Sequence, residues 1–491
     1  MRTQLLRLVP EFASGQLVLN HCEVKRLRFR ESQGCWSGIY LLTIEGLSQT
    51  AQSGRDEGKV LAQVVPIHGT LMPPGLPEPV YAANQVPFGA EKWRCYLPEL
   101  RLALCTQPPD SELAALPQLT DPEAARSLLE ASIRAGAPHY DDLHIESCTP
   151  QVMRYKPGSR CTILYHLAYP SALAEGRQWP AVVVAKTHHG AKGQNAYVGM
   201  QALWNSPLGA SRTVAIAEPL AYLPDLKVLV QGPIREEQTL EDLIQQTWRT
   251  AKASGEGCTS LMISGDLYTY ISRTAAGLAE LHQSGVHYGE TVNWTDELAE
   301  IYEGRAKLAA PLPQLGDLAE DLLVHLQQLA AIYPADPVAP AHRSFRPAQV
   351  LLYKGEIGFI DFDGVCQAEP AMDLALFMTT VKNMSLRKSN LDIESPNERE
   401  LGEDADEQED DLLDAEHRLA RLMQAEAICQ LFLAEYEKHA SISRIRVLLW
   451  ETLDLLSLVL GSWTKLKLAR LDNCLFMLER HLKVNADRMK G

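Results

Sequence analysis

No uninterrupted apolar run in the 491 residues approaches the ~20 that would span a bilayer, and no apolar stretch near the N-terminus has the form of a secretory signal. A membrane partner is therefore not expected. The ten cysteines stand at scattered spacings without a C-x-x-C pair, so the usual sequence signs of a zinc site or a disulfide framework are missing. Cys35, Cys161 and Cys366 are better read as small buried hydrophobes in a protein of the reducing cytoplasm. Positive charge is also short: 46 Lys and Arg against 62 Asp and Glu leave a net −16, which speaks against nucleic acid as a partner.

What is present suits a multi-unit globular chain. Apolar residues make up 46% of it, ample for a core, and the length divided by ~150 suggests about three units. Between Glu398 and Glu416 acids outnumber bases eleven to one, which reads as a solvated, disordered insert over residues 390–416. Its charge would also suit a cationic ligand or a basic partner. Beyond it, periodic apolar residues predict helices over Leu419 to His439, Ile445 to Leu466 and Asn473 to Leu482.

The most informative stretch runs from His342 to Ala375. Val350 to Tyr353 and Ile357 to Ile360 read as two strands joined by the turn Lys354-Gly355, and the second ends on Asp361-Phe362-Asp363-Gly364. Carboxylates closing a buried strand require a cation, and Mg²⁺ prefers such oxygen ligands. Strand alternation would put Asp363 on the same face as Asp361, favouring a second ligand over a displaced base. Taken singly, Asp-Phe-Asp-Gly is an ordinary solvated turn, and Asp373 could cap the helix opening at Leu374. Their order within one short segment argues for a site.

That order resembles the core of the aminoglycoside phosphotransferase family, within the protein-kinase-like superfamily, which reads His-Gly-Asp-x-His-x-x-Asn, an apolar strand, Ile-Asp-Phe and a Pro-x-x-Asp-Leu-Ala box. On the resemblance, His342 matches the motif histidine, Gln349 the metal-binding Asn, Asp361 the metal Asp and Asp373 the buried Asp of the last box. Ser344 stands where the catalytic Asp is expected, with Asp363 as a candidate substitute. The resemblance implies an α+β, two-lobed fold that binds ATP and Mg²⁺. Loss of the loop base removes help worth ~10²–10⁴-fold while sparing nucleotide binding.

The small lobe that such a fold requires is legible upstream. Val152 to Tyr165 reads as strand, Pro-Gly turn, strand, with Lys156 and Arg160 flanking the turn as phosphate-facing cations. Ala181 to Lys186 is a β-branched strand ending on the lysine that the superfamily sets against the α- and β-phosphates. The helix from Asn195 to Trp204 contains no acid to pair with it. Lys227 to Gln231, before Gly232-Pro233, resembles the adenine-facing hinge, which implicates Gln231; Thr239 and Asp242 mark the next helix start.

Before residue 146 the pattern recurs in degraded form. Arg28-Phe29-Arg30 precedes Cys35 as Arg154-Tyr155-Lys156 precedes Cys161, and Gln63 falls roughly where Lys186 would be. The expected plan is residues 1–145 as a β-rich unit that duplicates the small lobe or resembles it by chance, 146–232 as the small lobe and 233–491 as a helical lobe. The expected activity is transfer of phosphate from Mg-ATP to a small hydroxylated metabolite, working slowly. The alternative is a pseudokinase that senses nucleotide or serves as a scaffold for a protein partner.

Overall fold

Alternation of apolar side chains builds the first sheet. A computed structural model of the chain describes every residue except 31–34, 47–62, 73–86, 89, 91–92, 107–112, 157–159, 189, 191, 212, 254–262, 264, 310–312, 387–414, 465–467 and 490–491. Two short helices, α1 (Arg2–Leu8) and α2 (Pro10–Ala13), precede strands β1 (Val18–Arg30), β2 (Cys35–Glu45), β3 (Gln63–Leu71), β4 (Arg94–Leu97) and β5 (Leu102–Cys105). In β2, Tyr40, Leu42 and Ile44 are buried while Ile39, Leu41 and Thr43 are half-exposed, the period-2 pattern of a sheet covered on one face. Leu5, Val9 and Phe12 supply the cover, and Phe88 packs tilted on Phe12 and edge-on to Trp93, with ring centroids 4.8 and 4.9 Å apart. The strands run in the order β1-β2-β3-β5-β4, every neighbour antiparallel.

The first compact unit ends at Ser111, not at residue 145 as the sequence suggests. Residues beyond it belong to the small lobe because α3 (Leu116–Thr120) and α4 (Pro122–Gly136) bury Leu119, Ala125, Leu129 and Ile133 in the small-lobe core. The Asp121 carboxylate caps α4 by accepting the Ala124 N–H at 2.8 Å. At the other end of α4, Gly136 permits close approach: a Cβ there would lie 2.3 Å from the Leu220 carbonyl oxygen.

The small lobe carries β6 (Ser147–Lys156), β7 (Arg160–Ala168), helix α5 (Ser171–Ala174), β8 (Val182–Thr187), α6 (Lys192–Trp204), α7 (Pro207–Ala210), the two-residue β9 (Ala215–Ile216), β10 (Pro219–Leu223) and β11 (Val228–Gln231). Its sheet runs β6-β7-β8-β11-β10, again antiparallel throughout. Strand for strand this is the order of the first unit. The covering helix also recurs: α1 packs on β1 and β4, and α4 packs on β6 and β10. A register irregularity falls between Val24 and Arg26 in β1 and between Val152 and Arg154 in β6. Counted across from it, Arg154 faces Thr162 and Thr162 faces Lys186, while Arg26 faces Ile39 and Ile39 faces His68. The position of Lys186 is therefore matched by His68 and not by Gln63, which opens β3 opposite Ile44. The side chains of Arg28, Phe29, Arg30, Cys35 and Gln63 lie outside the described residues.

The larger lobe begins with β12 (Gln238–Thr239) and α8 (Leu240–Ala253), followed by α9 (Gly265–His282), α10 (Trp294–Ala309), α11 (Pro313–Ile332) and β13 (Ala339–Ala341). Thr239 and Asp242 cap α8 reciprocally, each backbone N–H donating to the other's side chain at 3.1 Å. Then come β14 (Val350–Tyr353), β15 (Glu356–Phe359), β16 (Cys366–Ala368), α12 (Pro370–Ser385), α13 (Ala415–Tyr436), α14 (Arg444–Thr464) and α15 (Leu468–Val484). The hairpin β14-β15 joins β12 and β9 in one sheet, while α12 packs on α13 and α14, and α13 on α9. Among the described residues of this lobe, the ion pairs Arg446–Glu369 and Lys382–Glu451 are buried. Among the described residues no helix is long and apolar enough to cross a membrane. The acidic insert at 390–416 lies almost wholly outside them.

Candidate active site

The loop after β13 is fastened from beneath. His342 is fully buried, its backbone N–H donates to Asp373 Oδ2 at 2.6 Å, and its Nε2 donates to the Ile360 carbonyl at 2.9 Å. Burial holds the imidazole pKa below its ordinary value despite the pull of Asp373 and Asp361. The neutral ring leaves Nδ1 as an acceptor, and Ser344 Oγ lies 3.2 Å from it. Asp373 also takes a bond from His282 at 3.2 Å, and His282 meets the Tyr436 hydroxyl at 2.8 Å. Asp373 is thus a buried anchor inside the first turn of α12, whose N-cap is Glu369. The sequence assigned no chemistry to His282; it is structural, joining α9, α12 and α13.

Asp361 leaves the strand. Its φ of 72° and ψ of 51° are left-handed, and Phe362–Gly364 form a short 3₁₀ turn, so strand alternation does not govern Asp363. The Asp361 carboxylate accepts from Gln349 Nε2 at 3.2 Å and lies 3.6 Å from Lys186 Nζ at the end of β8. Burial alone would raise the Asp361 pKa, but Lys186, Arg160 and His342 outweigh it and hold the carboxyl below its ordinary value. Gln349 Oε1 accepts the Arg346 N–H at 3.0 Å, so its amide orients Asp361 while its oxygen is engaged elsewhere.

Asp363 turns to the small lobe. Its Oδ1 lies 3.0 Å from Nε2 of His188, two residues beyond Lys186 and buried. On α6, Asn195 Nδ2 donates to the carbonyl of Val365 at 3.0 Å and reaches that of Asp363 at 3.5 Å. Sequence reasoning missed both residues; the signal for His188 was its place two residues past Lys186, just beyond β8.

Residues 262–397 match the model of the phosphotransferase enzyme family (APH), and they contain every element of the loop just described. This segment belongs to that family. No curated protein matches the chain. Solved structures similar to it include a GDP complex of an aminoglycoside 2′-phosphotransferase-IIIa variant, at 14% identity, covering 74% of this chain and 100% of that one with a TM-score of 0.42. A choline/ethanolamine kinase family protein from Mesorhizobium loti has 14% identity, coverage of 68% and 91% and a TM-score of 0.39. A choline kinase from Cryptosporidium parvum has 10% identity, coverage of 74% and 96% and a TM-score of 0.44.

The remaining residues singled out in the sequence divide. Arg160 opens β7 near enough to Asp361 to lower its pKa. Gln231 is buried at the end of β11, where Gly232 N–H donates to the Glu218 carbonyl at 2.8 Å and turns the chain toward the large lobe. The Lys156 side chain and the turn 157–159 lie outside the described residues. In the loop after β13, Arg343 pairs with Glu290 at 2.8 Å and Glu297 at 3.1 Å.

Two carboxylates from one loop suit Mg²⁺, which is held by one or two such groups together with phosphate and water oxygens. Among the described residues no group of three or more His, Cys, Asp or Glu is gathered that could hold a metal by itself.

Proposed function

We propose that the chain binds Mg-ATP between the lobes and transfers its terminal phosphate, slowly, to a hydroxyl of a small metabolite. The observation carrying this reading is the 3.6 Å approach of Lys186 to Asp361, which sets a strand-end cation of one lobe against a loop acid of the other. Asp361 and Asp363 are the residues that would hold Mg²⁺, which in phosphoryl transfer neutralises charge on the transferred group. Lys186, with Arg160 and Lys156, would face the phosphates, and Gln231 the adenine. Ser344 cannot hold a proton as a carboxylate does; bonded to neutral His342, it can orient a hydroxyl but leaves the proton to water or to the phosphate. The test is the thermal shift of the full chain with ATP, with and without Mg²⁺, beside Asp361→Ala. A Mg-dependent shift absent from the variant supports the reading, and no shift at millimolar ATP defeats it.

A nucleotide-sensing pseudokinase is the second reading, favoured by Ser344 and by the engagement of the Gln349 oxygen. Ser344→Asp separates the two: a large gain in phosphate transfer marks a competent site lacking only its base, and no change marks an abandoned one. The shared strand order and covering helix further support reading residues 1–111 as a degenerate duplicate of the small lobe, without its phosphate lysine.

A further inference from the structure

The lobes meet through a repeated spacing. On β8 and its extension, Lys186 and His188 are two residues apart; on the loop of the larger lobe, Asp361 and Asp363 are two residues apart. Lys186 lies 3.6 Å from Asp361, and His188 lies 3.0 Å from Asp363. Thr187 between them turns into the small-lobe core, where its hydroxyl oxygen accepts the Cys161 N–H at 2.6 Å. The strand thus presents two basic side chains on one face to two acids.

We infer that His188 is a positioning residue that holds Asp363 in place for the metal-bound nucleotide. The inference rests on the reading of Asp361 and Asp363 as the Mg-nucleotide loop. His188 is 94% buried by the complement of its 6% exposure, so its ring is locked by packing. Its backbone N–H donates to the Lys227 carbonyl at 2.9 Å, fixing the Cα. Gly193 on α6 makes room for the ring, since a Cβ there would stand 2.8 Å from His188 Nδ1. Asn195, two residues further on, bonds to the loop backbone and holds α6 against the same turn. α6 contains no carboxylate, and among the described residues the acid paired with Lys186 is Asp361, which would have to serve both lysine and metal. A separately held Asp363 relieves that competition.

The test compares wild type, His188→Leu, His188→Asn and His188→Gln in the full chain, measuring affinity for ATP by calorimetry with and without Mg²⁺. Gln places an amide N–H near the reach of Nε2; Leu and Asn do not. The Mg-dependent gain in ATP affinity should fall about tenfold in Leu and Asn, the size of one charge-assisted hydrogen bond, while affinity for metal-free ATP is unchanged and Gln restores the gain. If Leu fails to fold, Asn carries the comparison. A purely structural role would lower the melting temperature of the free protein and leave the Mg-dependent gain intact, which overturns the inference while the nucleotide site stands. Absence of any Mg-dependent gain in wild type overturns both.

Discussion

The two sheet units share strand order and covering helix, and the candidate site is built on the second. In the first, the third strand offers His68 where the second offers Lys186, and Gly69 where the second offers Thr187, each by the register counted from matching irregularities. Those inward-facing positions solve the same packing problem differently: the Tyr40 ring fills the space over Gly69, whereas the Thr187 hydroxyl takes the Cys161 N–H. The sheet therefore depends on its buried face, and the chemistry on a few residues where β8 meets a loop of another lobe. A fold does not by itself specify a site, because different residues carry each.

The largest test of this separation is Leu42→Ala, which opens a cavity in the first core and should destabilise that unit by ~2–5 kcal/mol. Hydrogen exchange should show the loss confined to residues 1–111, with the Mg-ATP shift retained; loss of the shift would show that the units are energetically one. Next, Lys186→Ala should abolish a nucleotide stabilisation of about 2.7 kcal/mol at a hundredfold excess over Kd, whereas His68→Ala should leave it whole, as read by thermal shift. Gly69→Ala should cost the first unit ~1–3 kcal/mol, since its Cβ would meet the Tyr40 ring at 2.4 Å, measurable by denaturant unfolding. Smallest is Tyr165→Phe, which strips the Leu119 carbonyl of its hydroxyl donor at 2.8 Å and should cost the small lobe ~1 kcal/mol.

Acid should separate the regions too. Burial lowers the His481 pKa to about 4 against an ordinary 6.5, despite the opposing pull of Glu451. The unfolded chain then binds the proton more readily, so this contribution is fully present above pH 6.5 and is lost as pH falls toward 4. The helical lobe should weaken across that range, and His481→Gln should flatten its profile.

Much of the architecture was legible. The predicted helices from Leu419, Ile445 and Asn473 appear as Ala415–Tyr436, Arg444–Thr464 and Leu468–Val484, because long apolar periodicity is a local signal. Cys161 and Cys366 are buried as expected. The domain boundary was misplaced because α4 is amphipathic and only its partner sheet decides which unit owns it. The face assigned to Asp363 failed for a backbone reason: Asp361 adopts positive φ, which breaks the alternation of the preceding strand.

The sequence by itself determined the hairpin of the loop segment, the strands around Lys186, the last three helices, the order of the loop motifs and the presence of Ser344 among them. These follow from periodicity, turn chemistry and residue identity, all local quantities. Tertiary structure alone decided that His188 meets Asp363 across 175 positions, that Gln349 spends its oxygen on Arg346, and that burial holds the His342 pKa below its ordinary value. Such pairings depend on how two cores dock and on how much water they exclude, and neither quantity is written in any short stretch of chain.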